Sequence, residues 1–344
     1  MTSAPRPGPD ARRTRDGGAV LPAVALAAGV GATVALQGRV NGDLAEFGAG
    51  AVLSGWVSYV GTLAAIAGYL LLAGRARAAV ATLRRSRPWW YLIGLCGIPI
   101  VLAFAAGIPL VGVAVASVCS VAGQTVTGLG MDSRGIGIPS PLRLTPLRLL
   151  AGAVALGGLL VAVAGSTGVA VSGWGLAGVG LALFAGGSIL CVQTAGTGRL
   201  TGMVGDPFLP ALTAVIGGTV GISVILAVQA AFGGLSGAAL PGLDRWWLYL
   251  GGPLGAIITV ASAWAVRRLG VFALTLSIVG GQMVMALVLD ALGPIGVTLP
   301  SVLAAAVVSG AVVLAMPRRR ASAPDSPGCL TSNCPRNVSR RSAG

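Results

Sequence analysis

Trp89-Trp90-Tyr91-Leu92-Ile93-Gly94 opens a stretch that runs through Ala122-Gly123-Gln124 to Asp132 and Gly135. The chain then writes it again as Trp246-Trp247-Leu248-Tyr249-Leu250-Gly251, Gly280-Gly281-Gln282, Asp290 and Gly293. The Trp pairs are offset by 157 residues and the Gln and Asp pairs by 158, so one inserted residue accounts for the drift. A unit of that length is too long for a solenoid repeat and matches half of a transporter. Between these markers the chain is apolar in continuous runs of about twenty residues, without alternation, which predicts membrane-spanning helices.

Composition fixes the solvent. Of the 344 residues 55% are hydrophobic and only 9% charged, with a mean hydropathy of +0.89, more apolar surface than a soluble domain can hide from water. In lipid only helices or closed barrels satisfy their own backbone, and the continuous runs select helices. The 55 glycines suit helices that approach one another closely in a bilayer. A net charge of +14 raises nucleic acid as a partner, but the arginines are scattered over tails and short loops. No basic face interleaved with aromatic residues forms, so no nucleic-acid partner is expected.

Ten spans are expected, at 19–39, 49–73, 89–107, 110–131, 147–166, 173–196, 209–232, 246–266, 270–290 and 296–316. With both termini in the cytoplasm, 21 of the 23 basic residues fall on the cytoplasmic side, and only Arg39 and Arg245 fall outside. That obeys the positive-inside rule. Because five is odd, two halves of five spans run in opposite directions through the membrane. The expected fold is therefore an all-α integral membrane protein of ten transmembrane helices, built as two inverted five-helix repeats at 19–166 and 167–316. Disordered cytoplasmic tails are expected at 1–18 and 317–344, where Pro, Ser and Arg dominate. The first span has basic residues ahead of it, as a signal peptide does. Its apolar stretch is long and lacks a cleavage site, so it is read as a retained span.

The chain has no His and no Lys. That removes the usual general base, the commonest metal ligand and any Schiff-base chemistry. Catalysis is not expected, nor is any cofactor or metal. Cys329 and Cys334 in the last tail lack His or a carboxylate cluster, and Cys96, Cys119 and Cys191 read as small buried hydrophobes.

The intramembrane polar residues are few enough to take singly. Gln124 and Gln282 stand at matched depth, each eight residues before its aspartate, so each Gln and its Asp share roughly one helix face. An amide in hydrocarbon needs partners: either it contacts a polar ligand between the repeats or it bonds helix to helix. Asp132 and Asp290 read either as gating or coupling carboxylates, each near a different face, or as boundary carboxylates among headgroups. Span one ends Gln37-Gly38-Arg39-Val40-Asn41-Gly42-Asp43-Leu44 and its counterpart ends Gln193-Thr194-Ala195-Gly196-Thr197-Gly198-Arg199-Leu200. Gln37 and Asn41, four apart, share a face that either lines a pathway or merely marks a polar helix end. Arg39 has Asp43 and Glu46 within reach. The Trp-Trp pairs read as headgroup anchors, and Pro99, Pro109 and Pro253 as sites of helix kinking.

Gln37-x-x-x-Asn41-x-x-Leu44, the Trp-Trp-Tyr/Leu pairs and Gly-Gln-x7-Asp-x-x-Gly together resemble the YdcZ-type family of bacterial inner-membrane proteins. That family belongs to the drug/metabolite transporter superfamily, beside the EamA and small-multidrug-resistance groups. The chain is similar to a tandem fusion of two five-span units, and the second departs from the pattern at Thr194, Ala195 and Thr197. The resemblance implies alternating-access export or exchange of a small metabolite or drug. Span one contains no carboxylate before Asp43, unlike the first span of the small multidrug pumps.

The sequence reading is thus a secondary transporter in the cytoplasmic membrane. Gln37, Asn41, Gln124, Gln193 and Gln282 are its candidate substrate-binding residues, and Asp132 and Asp290 its candidate coupling or gating residues. Its partners are a small-molecule substrate and membrane lipid. Two complete halves in one chain let a monomer suffice, and a homodimer is equally compatible. The alternative is a non-transporting membrane scaffold.

Overall fold

A computed structural model describes the backbone of residues 9–135, 145–164, 173–205, 208–294 and 296–314. The side chains of 9–20, 82, 132, 163–164, 208–209, 263–264, 266–273, 275–276 and 311–314 lie outside that description, and so do the expected tail residues 317–344. The described residues form helices joined by short turns, with no strand. In chain order they are α1 (Pro9–Leu44), α2 (Gly50–Leu72), α3 (Ala76–Leu83), α4 (Pro88–Leu95), α5 (Ile98–Ser133), α6 (Pro146–Ala164), α7 (Trp174–Val204), α8 (Phe208–Ala231), α9 (Gly251–Leu292) and α10 (Leu299–Leu314). A π-helical turn at Ala45–Ala49 joins α1 to α2, and a 3-10 turn at Leu243–Tyr249 leads into α9.

Four helical runs among the described residues are long and apolar enough to cross a membrane: Leu21–Leu72, Pro88–Met131, Trp174–Val204 and Pro210–Ala231. Pro146–Ala162, Ser277–Leu292 and Leu299–Gly310 are shorter apolar helices. The first two of the four are not straight rods. Leu21–Leu72 turns back at Gly48, whose φ of 135° only glycine adopts readily. Beyond that turn α2 runs antiparallel to α1, with Ser58 bonded to both Gln37 and Asn41. Pro88–Met131 reverses at Gly112, where φ is 83°. A side chain at Gly107 would meet Leu183 of α7, and one at Gly97 would meet Gln193 of α7, so the arm before Gly112 runs antiparallel to α7. Past Gly112 the direction flips, with Ser120 against Gly187 and Gly128 near Cys191.

The two arms of α9 repeat this around α1. Gly251 lies at Asn41 and Gly255 at Gln37, whereas further along Gly281 meets Ala28 and Gly293 meets Arg39. Ala265 and Leu274 fall in one buried cluster with Ala27, and the chain reverses between Gly255 and Gly281. Gly270, 158 residues beyond Gly112, lies in that interval. The sequence divided these hairpins at 107–110 and 266–270, within a few residues of the reversals.

Each half therefore lends its first helix to the other half's hairpin. The contacts match residue for residue. A methyl at Gly31 of α1 would strike the Ile278 carbonyl, and one at Gly187 of α7 would strike the Ser120 carbonyl; 31 and 187 are 156 apart, and 120 and 278 are 158 apart. Gly281 against Ala28 likewise has its twin in Gly123 against Phe184. Corresponding helices also run antiparallel to each other. Gly55 meets Ile222 at one end of the α2–α8 contact, and Ile66 clusters with Leu212 and Val215 at the other.

The arm after Gly112 is the centre of the molecule. Every residue from Val111 to Gly123 is buried, as expected of a helix that is apolar on all sides. Val279, Met283 and Ala286 of α9, Leu183 of α7 and Ala304, Ala305 and Val308 of α10 pack around it. The prolines start helices more than they bend them: Pro99 is the second residue of α5 and Pro253 the third of α9, positions that need no intrahelical N–H partner. Pro109 sits inside α5, three residues before the reversal.

Candidate functional site

Polar side chains gather where α1, α2 and the start of α9 meet. Gln37 Nε2 donates 2.8 Å to the Gly251 carbonyl and 3.3 Å to Ser58 Oγ. Asn41 Nδ2 donates 3.3 Å to the same Ser58 Oγ, and Ser54 Oγ donates 2.6 Å to the Asn41 carbonyl. One turn deeper, Thr62 Oγ1 shares its proton between the carbonyls of Ser58 at 2.8 Å and Gly252 at 3.0 Å. Asn41, Ser54, Ser58 and Thr62 are all buried. Close approach makes this seam. Gly61 and Gly252 meet so tightly that a Cβ at Gly61 would lie 3.0 Å from the Gly252 Cα. The shared face of Gln37 and Asn41 is as expected. The sequence reading passed over the hydroxyls that answer it, although Ser54, Ser58 and Thr62 recur every four residues and so form a visible stripe.

A second polar group lies on the buried arm after Gly112. Gln282 Nε2 of α9 donates 3.3 Å to Ser117 Oγ, and Gln124 Nε2 donates 3.2 Å to Ser120 Oγ. Ser117, Ser120 and Gln124 occupy one face of that arm, at i, i+3 and i+7. Gln282 thus bonds across to α5 through Ser117, whereas Gln124 bonds within its own helix, one turn back, to Ser120. Gln193 stands apart, across α7 from Gly97. A Cβ at Gly97 would lie 2.6 Å from the Tyr59 hydroxyl and 2.9 Å from Gln193 Oε1. So the structure joins Gln37 to Asn41 and Gln282 to the arm of Gln124, and sets Gln193 beside Tyr59, without bringing all five together.

Asp290 is the one carboxylate buried among the described residues. Its Oδ1 accepts from the Val113 amide at 2.8 Å and its Oδ2 from the Ala114 amide at 2.8 Å. Those amides are the first past the Gly112 reversal, where a helix N-terminus leaves donors unpaired and favours negative charge. The carboxylate thus caps a helix that belongs to the other half of the chain. The side chain of Asp132 lies outside the described residues. Arg39 pairs with Asp43, Nε to Oδ1 at 2.8 Å. Among the described residues no group of three or more Cys, Asp or Glu is placed to hold a metal ion.

The Trp pairs divide. Trp89, Trp246 and Trp247 are exposed, as anchors should be, but Trp90 is buried against Leu200, Ile93 and Val204. Trp90 is a packing residue joining α4 to α7, and its Nε1 finds no acceptor among the described residues. At the turn around Gly48, Phe47 receives the Arg245 guanidinium over its ring at 4.5 Å, and the Ala239 amide donates 3.1 Å to the Gly48 carbonyl. These contacts, the Gln37–Asn41 seam and the Asp290 cap all tie one half to the other at the same end of the bundle.

The family described as "Putative inner membrane exporter, YdcZ" matches residues 22–161 and again residues 178–316. No curated protein matches the chain. A protein of known crystal structure is similar over 87% of this chain and 96% of its own, at 18% identity and a TM-score of 0.56. That likeness shows a shared fold.

Proposed function

The chain belongs to the YdcZ-type family of inner-membrane exporters, and from that premise we propose that it is an alternating-access secondary transporter that exports or exchanges a small metabolite or drug. The observation that carries the reading is the double match: the family's unit occurs twice in one chain, so both halves of a carrier are present. The geometry supports it. Seven apolar helical runs lie among the described residues, two of them folded back on themselves, and the reversal within α9 adds its first arm, an arrangement compatible with the ten spans and two inverted halves of this reading. The antiparallel pairing of corresponding helices agrees with that inversion. The arginine distribution favours both termini in the cytoplasm.

The substrate site of this proposal lies between the halves, lined by Gln37, Asn41, Gln124, Gln193 and Gln282. Asp132 and Asp290 are its gating carboxylates. Its lining offers amides together with the hydroxyls and backbone carbonyls they bond, which suits a neutral or weakly charged polar solute. A transported polyanion would contradict this. The scaffold alternative draws on the hydrogen bonds themselves, since Gln37, Asn41, Gln124 and Gln282 each already have a protein partner.

Thermal unfolding of the detergent-purified protein against a library of metabolites and drugs, at two pH values, tests the reading. A ligand at a hundred times its dissociation constant stabilises the folded state by about 2.7 kcal/mol. A saturable shift that vanishes in Gln282→Leu is the expected result. Silence across the library from folded protein would favour the scaffold.

A further inference from the structure

Asp290 is bonded in a way that a purely structural cap does not need. Asn, Ser or Thr would serve a helix N-terminus without the cost of burying a charge. Here the carboxylate is buried and spends one oxygen on each of two successive amides, Val113 and Ala114, both contributed by the other half. The turn it caps is a reversal. Gly112 has a φ of 83°, and a Cβ there would lie 3.0 Å from Asp290 Oδ2 and 3.2 Å from Oδ1. Only a glycine lets the carboxylate in so close.

We propose that Asp290 is the latch of the outer mouth of the pathway, holding the ends of the two central arms together in the closed state and releasing them as that mouth opens. This rests on the exporter reading, and the charge is what makes the contact two-state. With the arms together, charge-assisted bonds to two helix-terminal amides compensate the buried carboxylate. With the arms apart, water entering the mouth hydrates it. An apolar contact at this place would have no such compensation once opened. The intermediate, a carboxylate parted from its amides but not yet wet, is the costly one. Val113 is then the gatekeeping position: its amide holds Asp290 Oδ1 and its side chain is fully buried. Arg39, whose guanidinium lies near Gly293 at the end of the same arm, is paired with Asp43 and makes no direct bond to the latch carboxylate.

The test places a single reporter cysteine, Val113→Cys, in a chain whose five native cysteines are replaced, and measures its labelling by a membrane-impermeant maleimide. In right-side-out vesicles Asp290→Ala should raise the labelling rate by at least about tenfold, and Asp290→Asn, which keeps one acceptor oxygen, by less. Asp43→Asn should leave the rate unchanged. The labelling rate in inside-out vesicles should not change. An unchanged rate in a folded, monodisperse Asp290→Ala protein overturns the proposal. So does equal acceleration from both faces, which is the mark of general loosening. If Asp290→Ala does not fold, the isosteric Asp290→Asn takes its place: faster labelling from the outer face alone supports the latch, and an unchanged rate overturns it. Because labelling needs no substrate, faster outer-face labelling with no ligand found favours the scaffold over the exporter and leaves Asp290 as a latch between the two halves. A ligand found with unchanged labelling does the reverse.

Discussion

At the scale of single residues, the question is whether each buried amide holds helices together or waits for a ligand. Energetics separates the two. Interhelical hydrogen bonds in membranes contribute about 0.6 kcal/mol on average and rarely above about 1.7 kcal/mol. Gln282→Leu, which loses one 3.3 Å bond to Ser117, should therefore lower unfolding stability by about 0.6 kcal/mol, with coupling of that size in a double-mutant cycle with Ser117→Ala. If Gln282 lines the site, ligand affinity falls at least about tenfold in the same variant. That is about 1.4 kcal/mol of binding and out of proportion to the stability lost. Parallel titration and unfolding of one protein sample read both numbers. The candidate amides were legible in the sequence because a polar residue inside an apolar run is conspicuous. Their partners were less so. Ser58 and Ser117 matter because they face an amide on another helix, and no local pattern records that.

At the scale of the element, glycine decides which helices touch. Gly31 and Gly187 each let a helix of one half rest on a backbone carbonyl of the other half's hairpin. Adding one methyl forces the backbones apart, a kind of overpacking that costs about 1–3 kcal/mol. Gly31→Ala and Gly187→Ala should each lose that much stability in thermal unfolding. Gly29→Ala and Gly178→Ala, on the same helices but with nothing within 4 Å, should stay within about 0.5 kcal/mol of the parent. The abundance of glycine announced close packing without saying which glycines take part. The divisions drawn at 107–110 and 266–270 came within a few residues of the reversals because an apolar run of that length is too long for one crossing, although Gly112 itself fell inside an expected span. The swing of Trp90 into the core was not. Trp89-Trp90 and Trp246-Trp247 read alike, and only the presence of Leu200 and Val204 beside one ring separates them.

At the scale of the whole molecule, duplication was legible from paired motifs, but the exchange of first helices was not, since hydropathy orders spans along the chain and says nothing of their neighbours. The exchange predicts how the halves behave when cut. Residues 1–166 alone leave α1 without α9 and the arms of α5 without α7, so each fragment expressed singly should be degraded. Co-expressed with residues 167–344, the pair should co-purify and regain the unfolding transition of the intact chain. Two stable independent fragments would contradict the exchange. The same feature also sets a clock. The face of α1 that ends in Gln37 and Asn41 emerges early, yet the α9 residues that bury it, Gly251 to Gly293, are made more than two hundred residues later. At about 5–20 residues per second, translation leaves that polar seam without its α9 carbonyls for roughly ten to fifty seconds. The Gly251 and Gly252 carbonyls are thus the last groups of the seam to arrive, long after Ser54, Ser58 and Thr62 of the neighbouring helix are in place beside Gln37 and Asn41.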